Sequence, residues 1–212
     1  YEINPVYATD FDKAAPPPTV VNINRNPIVP NASQTVTVTA DITDQDGLVT
    51  SATLYYTADQ SAPANLFQSV TMTNSGSLYS ATIPAFPLDS VVRYFISATD
   101  DSSKTTNTQV DYYTVRANGL TIMDIQFVPS FASGDASSLE GDTVTVTGIV
   151  TASYQTGDLG FLYIQDPNAT EFAGIYLSGG PASVFTFNRG DEITVTGVVE
   201  ENFGFTRLSV IT

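Results

Sequence analysis

Aromatic side chains recur along the second half of the chain at the two-residue spacing of β-strands. In residues 161–165, 174–177 and 205–210, aliphatic residues alternate with aromatic or polar ones, and successive residues of a strand face opposite sides of a sheet. The predicted outward-facing set is Phe161, Tyr163, Gln165, Tyr176, Phe205 and Arg207. Exposed aromatic rings stack on flat ligand surfaces, and one stacked nucleic-acid base contributes about 1–3 kcal/mol. The spacing therefore predicts a ligand-binding face.

Three interpretations of this face are open. It binds single-stranded nucleic acid, it binds a carbohydrate or a peptide, or its aromatic side chains pack against a neighbouring domain. Charge opposes the first interpretation, because residues 120–212 contain two basic and eleven acidic side chains. Neutralisation of phosphates by Lys and Arg usually supplies most of the non-specific affinity for nucleic acid. Stacking alone would give weak binding that depends on salt concentration.

A second group of residues that could do chemistry is acidic. Three carboxylates fall within six residues beside a Gly-containing turn, and they are Asp41, Asp44 and Asp46. Carboxylates at alternate positions around a turn are a common arrangement of Ca²⁺ ligands. The segment lacks the distal Glu of an EF-hand loop, and Gly47 alone can explain a turn between two strands. A Ca²⁺ site and a metal-free turn are both open, and Asp100 and Asp101 would add ligands if they lay at the same end of the domain.

The sequence offers no arrangement of residues for catalysis. It contains no histidine and no cysteine, so the commonest general base and the thiol nucleophile are both missing. Serine and threonine are plentiful, but they alternate with apolar residues along strands, where Thr is simply a good strand former. We therefore predict no catalytic residue, no enzymatic activity of this chain, and no cofactor other than Ca²⁺.

Composition indicates an acidic all-β protein. The 212 residues carry 22 acidic and 7 basic side chains, a formal net charge of −15, and 42% of them are hydrophobic. Strand-forming residues are abundant, and no window of about 10–12 residues has a helical apolar period. No apolar run approaches the length of about 18 residues that a membrane span needs, and the acidity favours a soluble monomer.

Because the sequence starts at Tyr1 without a signal peptide, we expect a fragment or processed form of a longer protein.

The first part of the chain has the pattern of an immunoglobulin-like β-sandwich. Residues 19–117 contain about seven short strand-forming segments separated by turn signals. Residues 1–18 precede them as a tail and a Pro-rich linker, because consecutive prolines favour an extended spacer. Residues 94–100, with Leu88 six positions before Tyr94, resemble the sixth strand of fibronectin type III and bacterial immunoglobulin-like domains. This resemblance implies the fold and little about function.

The second part, residues 120–212, contains one phrase twice. Residues 142–150 (DTVTVTGIV) return as residues 191–199 (DEITVTGVV). Each copy alternates apolar residues with polar ones and then reaches a Gly, which marks a kink in a strand. Two such strands indicate a closed five-stranded barrel. We predict its first strand at residues 122–127, and the connection at residues 178–189 takes the place of the usual inter-strand helix.

The barrel sequence resembles an OB-fold. The repeated phrase, Gly-Phe-x-x-Ile-Gln-Asp at residues 160–166 and Ala-Gly-Ile at residues 173–175 are similar to the OB-like domain beside the catalytic domain of secreted bacterial nucleases of the endonuclease/exonuclease/phosphatase superfamily. The resemblance implies a non-catalytic accessory region that spaces or positions ligand in a larger secreted or cell-surface bacterial protein, such as an extracellular nuclease or phosphatase. Its partners would include neighbouring domains of that protein. The alternative is a purely structural spacer of a surface or adhesin-like protein.

Overall fold

The computed structural model describes residues 16–132, 134–181 and 186–212. The predicted tail up to residue 15 and part of the connection at residues 178–189 lie outside the described residues. The described residues form two facing sheets, a closed five-stranded barrel and one short α-helix. The predicted fold class, an all-β immunoglobulin-like sandwich followed by an OB-like barrel, is confirmed.

The sandwich consists of two antiparallel sheets. One sheet contains, in spatial order, β1 (Thr19–Asn26), β2 (Val36–Thr43), β6 (Leu78–Ile83) and β5 (Thr73–Ser75). The facing sheet contains β4 (Gln68–Thr71), β3 (Val49–Thr57), β7 (Val91–Asp100) and β8 (Thr105–Asn107), with β9 (Asp111–Thr114) also paired to β7. A short 3₁₀ helix, Ala64–Leu66, precedes β4.

Alternation along β2 shows why this segment becomes a strand with one buried face. Val36, Val38 and Ala40 are completely buried, whereas the residues between them are half-buried. Full burial of an aliphatic side chain such as Val contributes about 1.5–3 kcal/mol. The same alternation continues on β7, whose inward residues include Tyr94 and Ile96.

Residues 68–75 form two successive strands that lie in different sheets. β4 pairs with β3, whereas β5 pairs with β6 in the opposite sheet. Met72 lies between them, is buried, and donates its backbone N–H to the carbonyl of Ala52 at 2.9 Å. Alternation cannot reveal such a switch, because an inward-facing residue stays inward whichever sheet its backbone joins.

The barrel closes through five strands, β10 (Thr143–Ala152), β11 (Leu162–Gln165), β12 (Gly174–Gly179), β13 (Glu192–Glu201) and β14 (Thr206–Val210). Their order around the barrel is β10-β11-β12-β14-β13, and only the β12–β14 pair is parallel. The two copies of the repeated phrase are β10 and β13, which pair with each other. Val146 and Val195 face the core, while Thr145 and Thr194 are exposed.

The glycine at the seventh position of each repeat allows neighbouring strands to approach closely. A Cβ atom added to Gly197 would lie 2.8 Å from the Leu208 side chain and 2.9 Å from the Ser209 carbonyl carbon. One added to Gly148 would lie 3.1 Å from the Gln165 carbonyl oxygen. Any larger residue would force the strands apart, so the glycines permit the tight closure of the barrel.

The strand predicted at residues 122–127 is a helix, α1 (Ile122–Gln126). Its start is fixed by a capping box, in which the Thr121 hydroxyl accepts the backbone N–H of Asp124 and the Asp124 carboxylate accepts the N–H of Thr121. Its two isoleucines are three residues apart and fully buried against the barrel, as on one face of a helix. The Asp124 carboxylate also accepts Nε–H of Arg116 at 3.0 Å, which ties the helix to the end of the sandwich.

Arg25, on β1, joins the two domains. Its side chain is only 6% exposed. It donates to the carbonyl of Ser138 at 3.0 Å and lies 3.6 Å from the Asp142 carboxylate, both just before the first barrel strand. On the sandwich side it lies 3.2 Å from the Asp111 carboxylate, which also accepts the Tyr94 hydroxyl. Because the buried Arg25 guanidinium bonds to groups on both sides of the junction, the network favours one domain orientation.

Aromatic packing adds a second connection between the domains. The Arg93 guanidinium of β7 lies 4.8 Å from the ring centroid of Phe131 and 4.9 Å from that of Phe67. The Tyr112 ring meets Phe131 edge-on at 5.6 Å, and the Tyr112 hydroxyl donates to the Phe127 carbonyl at 3.2 Å. Since Phe127 and Phe131 belong to the barrel side of the junction, these contacts oppose free rotation of one domain against the other.

Candidate ligand-binding face of the barrel

Outward-facing residues of neighbouring strands line up across the barrel. Tyr163 on β11 is paired with Tyr176 on β12. Tyr176 is in turn the parallel partner of Arg207 on β14, and Arg207 is paired with Glu200 on β13. Inward-facing residues next to this row are fully buried, for example Leu162. The alternating pattern of each strand thus places one row of side chains on the outer surface.

Four aromatic rings form a continuous cluster on this surface, and we call Phe161, Tyr163, Tyr176 and Phe205 the aromatic face. Tyr176 is at its centre, with ring-centroid distances of 5.2 Å to Tyr163, 6.0 Å to Phe205 and 6.2 Å to Phe161. The Phe161 pair is edge-on and the other two pairs are tilted. These separations and orientations are typical of favourable aromatic pairs. The structure therefore brings together all four aromatic residues that the sequence placed on this face.

The cluster remains accessible to solvent. Phe161 is 53% exposed and Phe205 is 45% exposed, while Tyr163 and Tyr176 are half-buried. Tyr154 lies beside the cluster, where partial burial raises its pKa and the charge and hydrogen bond of Tyr176 raise it further. Sequence alternation could not identify Tyr154, because it follows the end of β10 in a loop.

Asp158 fixes the loop that carries Phe161. Its carboxylate accepts the N–H of Ser153 at 3.0 Å, the Ser153 hydroxyl at 2.8 Å and Nε–H of Arg189 at 2.8 Å. The hydrogen bond from Arg189 is the main reason why the pKa of Asp158 lies well below its usual range. The sequence analysis missed this contact, since 31 residues separate the two partners. The loop is thereby held in one conformation beside the barrel.

Polar groups surround the aromatic face, but its cations are neutralised. Gln165 is exposed and lies two residues beyond Tyr163, hence on the same face of β11. Arg207 donates to the Glu200 carboxylate at 2.9 Å. Arg189, the other basic residue of the barrel, is paired with Asp158. The face therefore combines stacking surfaces and hydrogen-bonding groups with no unpaired positive charge among the described residues of the barrel.

The structure separates one member of the predicted acidic trio from the other two. The Asp41 carboxylate lies on β2 and accepts the amide of Asn22 at 2.8 Å. Asp44 lies in the turn after β2, where its carboxylate covers Gly47, and Asp46 is an exposed residue of the same turn. Within the described ranges, no three acidic, His or Cys side chains converge as metal ligands.

No helix of the described residues has the length and apolar character to cross a membrane.

Comparisons with known proteins show distant structural likeness. No protein-family model and no curated protein matches the chain. The cycloalternan-degrading enzyme from Trueperella pyogenes is 16% identical with a TM-score of 0.37, and the match covers 68% of this chain and 21% of the enzyme. The cycloalternan-forming enzyme from Listeria monocytogenes, in complex with a pentasaccharide substrate, is 16% identical with a TM-score of 0.34, covering 87% and 16%.

A third similar structure is a chimeric titin Z1Z2 carrying an exogenous decorin peptide, 17% identical with a TM-score of 0.34 over 93% of this chain and 96% of that chain. This chain spans about a fifth of the cycloalternan-degrading enzyme. All three TM-scores lie below 0.5, and none of the three proteins transfers an activity, a ligand or a partner to this chain.

Proposed function

We propose that this chain is a non-catalytic accessory region of a larger secreted or cell-surface bacterial protein, in which the barrel holds ligand on its aromatic face. One observation carries the proposal, namely that Phe161, Tyr163, Tyr176 and Phe205 form a continuous ring cluster whose two outer members stay about half exposed. Four contiguous rings on one side of a barrel form an apolar surface that is unfavourable in water, and exposed aromatic patches commonly mark ligand-binding sites.

The charges near the face favour a neutral ligand. Arg207 and Arg189 are both engaged by carboxylates, and the region after residue 119 has nine more acidic than basic side chains. A polyanion would meet long-range repulsion and would find no free cation on the described barrel to replace its counterions. A saccharide, by contrast, presents apolar C–H faces to aromatic rings and hydroxyls to groups such as Gln165 and Glu200. We therefore propose a neutral oligosaccharide as the ligand class.

The junction between the domains supports a second role, that of a spacer with a fixed geometry. Arg25 is buried between the sandwich and the barrel, and Phe131 packs on Arg93 and Tyr112. Such contacts would hold the aromatic face at a constant distance and orientation from whatever precedes the sandwich. A purely structural spacer, as in a surface or adhesin-like protein, would keep this junction and bind nothing on the face.

The parent protein is proposed from the resemblance of the barrel sequence alone. OB-like domains similar in sequence to this barrel stand beside the catalytic domains of extracellular nucleases and phosphatases. In that setting single-stranded nucleic acid is the competing ligand, and stacking on the aromatic face would have to overcome the unfavourable charge. The two ligand classes differ in salt dependence, because only the polyanion responds strongly to ionic strength.

Isothermal titration calorimetry of the whole chain tests the proposal with two probes. One is a panel of neutral α- and β-linked glucose oligosaccharides, and the other is an oligothymidylate at low salt. We expect saturable binding of a saccharide that Phe161→Ala weakens by about tenfold or more, the loss of one stacked ring being worth about 1–3 kcal/mol.

Phe172→Ala is the matched control, because Phe172 is 48% exposed and pairs with Phe127 instead of the aromatic face. It should bind like the unmodified chain. Binding of the oligothymidylate alone, lost in Phe161→Ala, would replace the saccharide by nucleic acid. Absence of binding to both probes would leave the structural spacer as the better account.

A further inference from the structure

Two turns meet at one end of the sandwich and bring acidic residues together. The turn after β2 contains Asp44 and Gly47, and the turn after β7 begins at Asp101. The backbone N–H of Asp101 donates to the carbonyl of Leu48 at 3.0 Å, which fastens the two turns. A Cβ atom on Gly47 would lie 2.8 Å from Asp44 Oδ2 and closer still to Asp101 Oδ1. The two carboxylate oxygens therefore converge on the bare backbone of Gly47.

Two buried carboxylate oxygens at this place lack hydrogen-bond partners. Asp100 is 3% exposed. Its Oδ1 accepts the backbone N–H of Lys104 at 2.8 Å, but its Oδ2 accepts nothing. Asp44 Oδ1 is also buried and accepts no hydrogen bond. Among the buried side-chain oxygens of the residues that the structure describes, only these two are unsatisfied. A buried polar atom without a partner is costly, and in a native protein it points to a missing water or ion.

The charges of the cluster are mutually repulsive. Asp100 is the strand partner of Val49, the first residue after the turn that contains Asp44 and Asp46, so all three carboxylates lie at the same end of the sandwich. Like charges held at one end of the sandwich repel one another, and burial of Asp44 Oδ1 and Asp100 Oδ2 limits screening by water. A cation bound between the turns would relieve this repulsion and satisfy both unpaired oxygens at once.

We propose that Ca²⁺ binds between these two turns, with the carboxylates of Asp44, Asp100 and Asp101 as ligands and Asp46 on the solvent side. Calcium accepts six to eight oxygen ligands at about 2.3–2.6 Å in irregular geometry, whereas Mg²⁺ requires a near-ideal octahedron. The described side chains do not yet converge as a group of three. Because Asp46 and Asp101 are exposed, rotation of these side chains can complete the ligand set when the ion enters.

This assignment differs from the trio suggested by the sequence. Asp41 is replaced by Asp100 and Asp101, which are more than 50 residues away along the chain and which β7 brings to the same end. A bound ion would cross-link the β2–β3 turn to the β7–β8 turn. Both turns belong to the sandwich, whereas the aromatic face belongs to the barrel, so the two sites would act independently. The presence or absence of the ion leaves the proposed function of the barrel unaffected.

Calorimetric titration of the whole chain with CaCl₂ alone tests the site. We expect saturable binding with a Kd of about 10⁻⁴–10⁻³ M, the range of extracellular calcium-binding modules. Asp101→Asn removes one exposed ligand and should weaken binding at least about tenfold, since even outer-shell changes cost about 10–100-fold in metal affinity. Asp135→Asn, an exposed carboxylate in the barrel part of the chain, removes the same charge and should bind normally.

Gly47→Ala tests the geometry without changing any charge. Its Cβ would occupy the position on which the Asp44 and Asp101 oxygens converge, so Ca²⁺ affinity should fall while the net charge stays the same. Absence of saturable binding to the unmodified chain would overturn the proposal. Equal Ca²⁺ affinities of Asp101→Asn and the unmodified chain would also overturn it. An equal loss of affinity in Asp135→Asn would do so too, because binding would then depend on net charge and not on these two turns.

Discussion

At the scale of single residues, the barrel depends on positions where no side chain fits. Gly197 illustrates this, because the space that a Cβ would need is taken by Leu208 and by the backbone of Ser209. Its φ is not in the left-handed region, so crowding and not backbone strain decides the outcome. The repeated phrase predicted a special role for Gly197 and Gly148, but only the structure shows which atoms each glycine admits.

Gly197→Ala should destabilise the barrel by about 1–3 kcal/mol, the usual cost of overpacking a well-packed interior. Gly174→Ala is the control, since its added Cβ would meet only the Ile164 carbonyl oxygen at 3.8 Å. Urea unfolding followed by tyrosine fluorescence would measure both. Equal stability of the two variants would contradict this explanation, because it would show that the close approach of β14 to Gly197 does not exclude a larger residue.

Asp158 gives a prediction for pH dependence. Its pKa in the folded state is lowered, mainly by the hydrogen bond from Arg189. The pKa of an Asp in an unfolded chain is about 3.9. A lowered pKa means that the stabilisation is fully present above the unfolded value and is lost as the pH falls through the folded value. Asp158→Asn should therefore lower the melting temperature at pH 7, and its difference from the unmodified chain should shrink steadily below about pH 4.

Thermal unfolding followed by circular dichroism from pH 7 to pH 2 checks this expectation. Asp135→Asn serves as the control, because Asp135 is exposed on a loop, and its melting temperature should match the unmodified chain throughout. A difference for Asp158→Asn that stayed constant across the acid range would mean that its ionisation does not stabilise the loop carrying Phe161.

At the scale of elements, alternation predicted the strands well and failed where another signal decided the structure. The Thr-rich repeat correctly placed Val146 and Val195 inside, because burial on one face enforces a period of two. Helix α1 was missed since five residues are too few for a periodic pattern. The available signal was the capping box of Thr121 and Asp124, which is local and specific to a helix start. The switch of sheet at Met72 leaves no trace in the pattern at all.

Val195→Asp should unfold the barrel. Val195 is 3% exposed, and an unpaired carboxylate in its place costs several kcal/mol of the about 5–15 kcal/mol that typically stabilises a domain. Thr194→Asp places the same charge on the exposed neighbour, where it removes only the hydroxyl contact with Thr147 at 2.7 Å. Circular dichroism should show a loss of the barrel's strand signal at room temperature in the first variant and a folded signal like that of the unmodified chain in the second. A normal melt for Val195→Asp would contradict the observed alternation.

At the scale of the whole molecule, the sequence predicted two domains but not how they join. The junction relies on pairs such as Arg25 with Ser138, 113 residues apart, and no local pattern encodes such contacts. The candidate face was predicted better, because Tyr163 and Tyr176 lie on strands whose alternation fixes their direction, and Phe161 and Phe205 directly precede two strands. Its neighbours Tyr154 and Asp158 lie on a loop, and their positions follow from tertiary hydrogen bonds that composition cannot show.

Arg25→Met should loosen the junction. Asp111 and Asp142 are 37% and 32% exposed and would regain water, so the loss of their hydrogen-bonding counterion should cost about 1–3 kcal/mol. We expect the sandwich and the barrel to unfold in separate transitions, and small-angle X-ray scattering should show a broader distribution of interdomain distances. Arg207→Met removes the partly exposed pair with Glu200 on the barrel surface. Such pairs contribute about 0–1 kcal/mol, so both observations should stay unchanged. A single transition in Arg25→Met would show that the other contacts suffice.

The most direct test of the central claim is a ¹H–¹⁵N NMR titration of the whole chain with the neutral glucose oligosaccharides. If the aromatic face is the binding surface, saturable chemical-shift changes will concentrate on the amides of residues 161–163, 176 and 205–207, and they will change little with added salt. Saturable shifts confined to another surface, or no shifts at the highest soluble concentration, would contradict the assignment of a saccharide-binding role to this face.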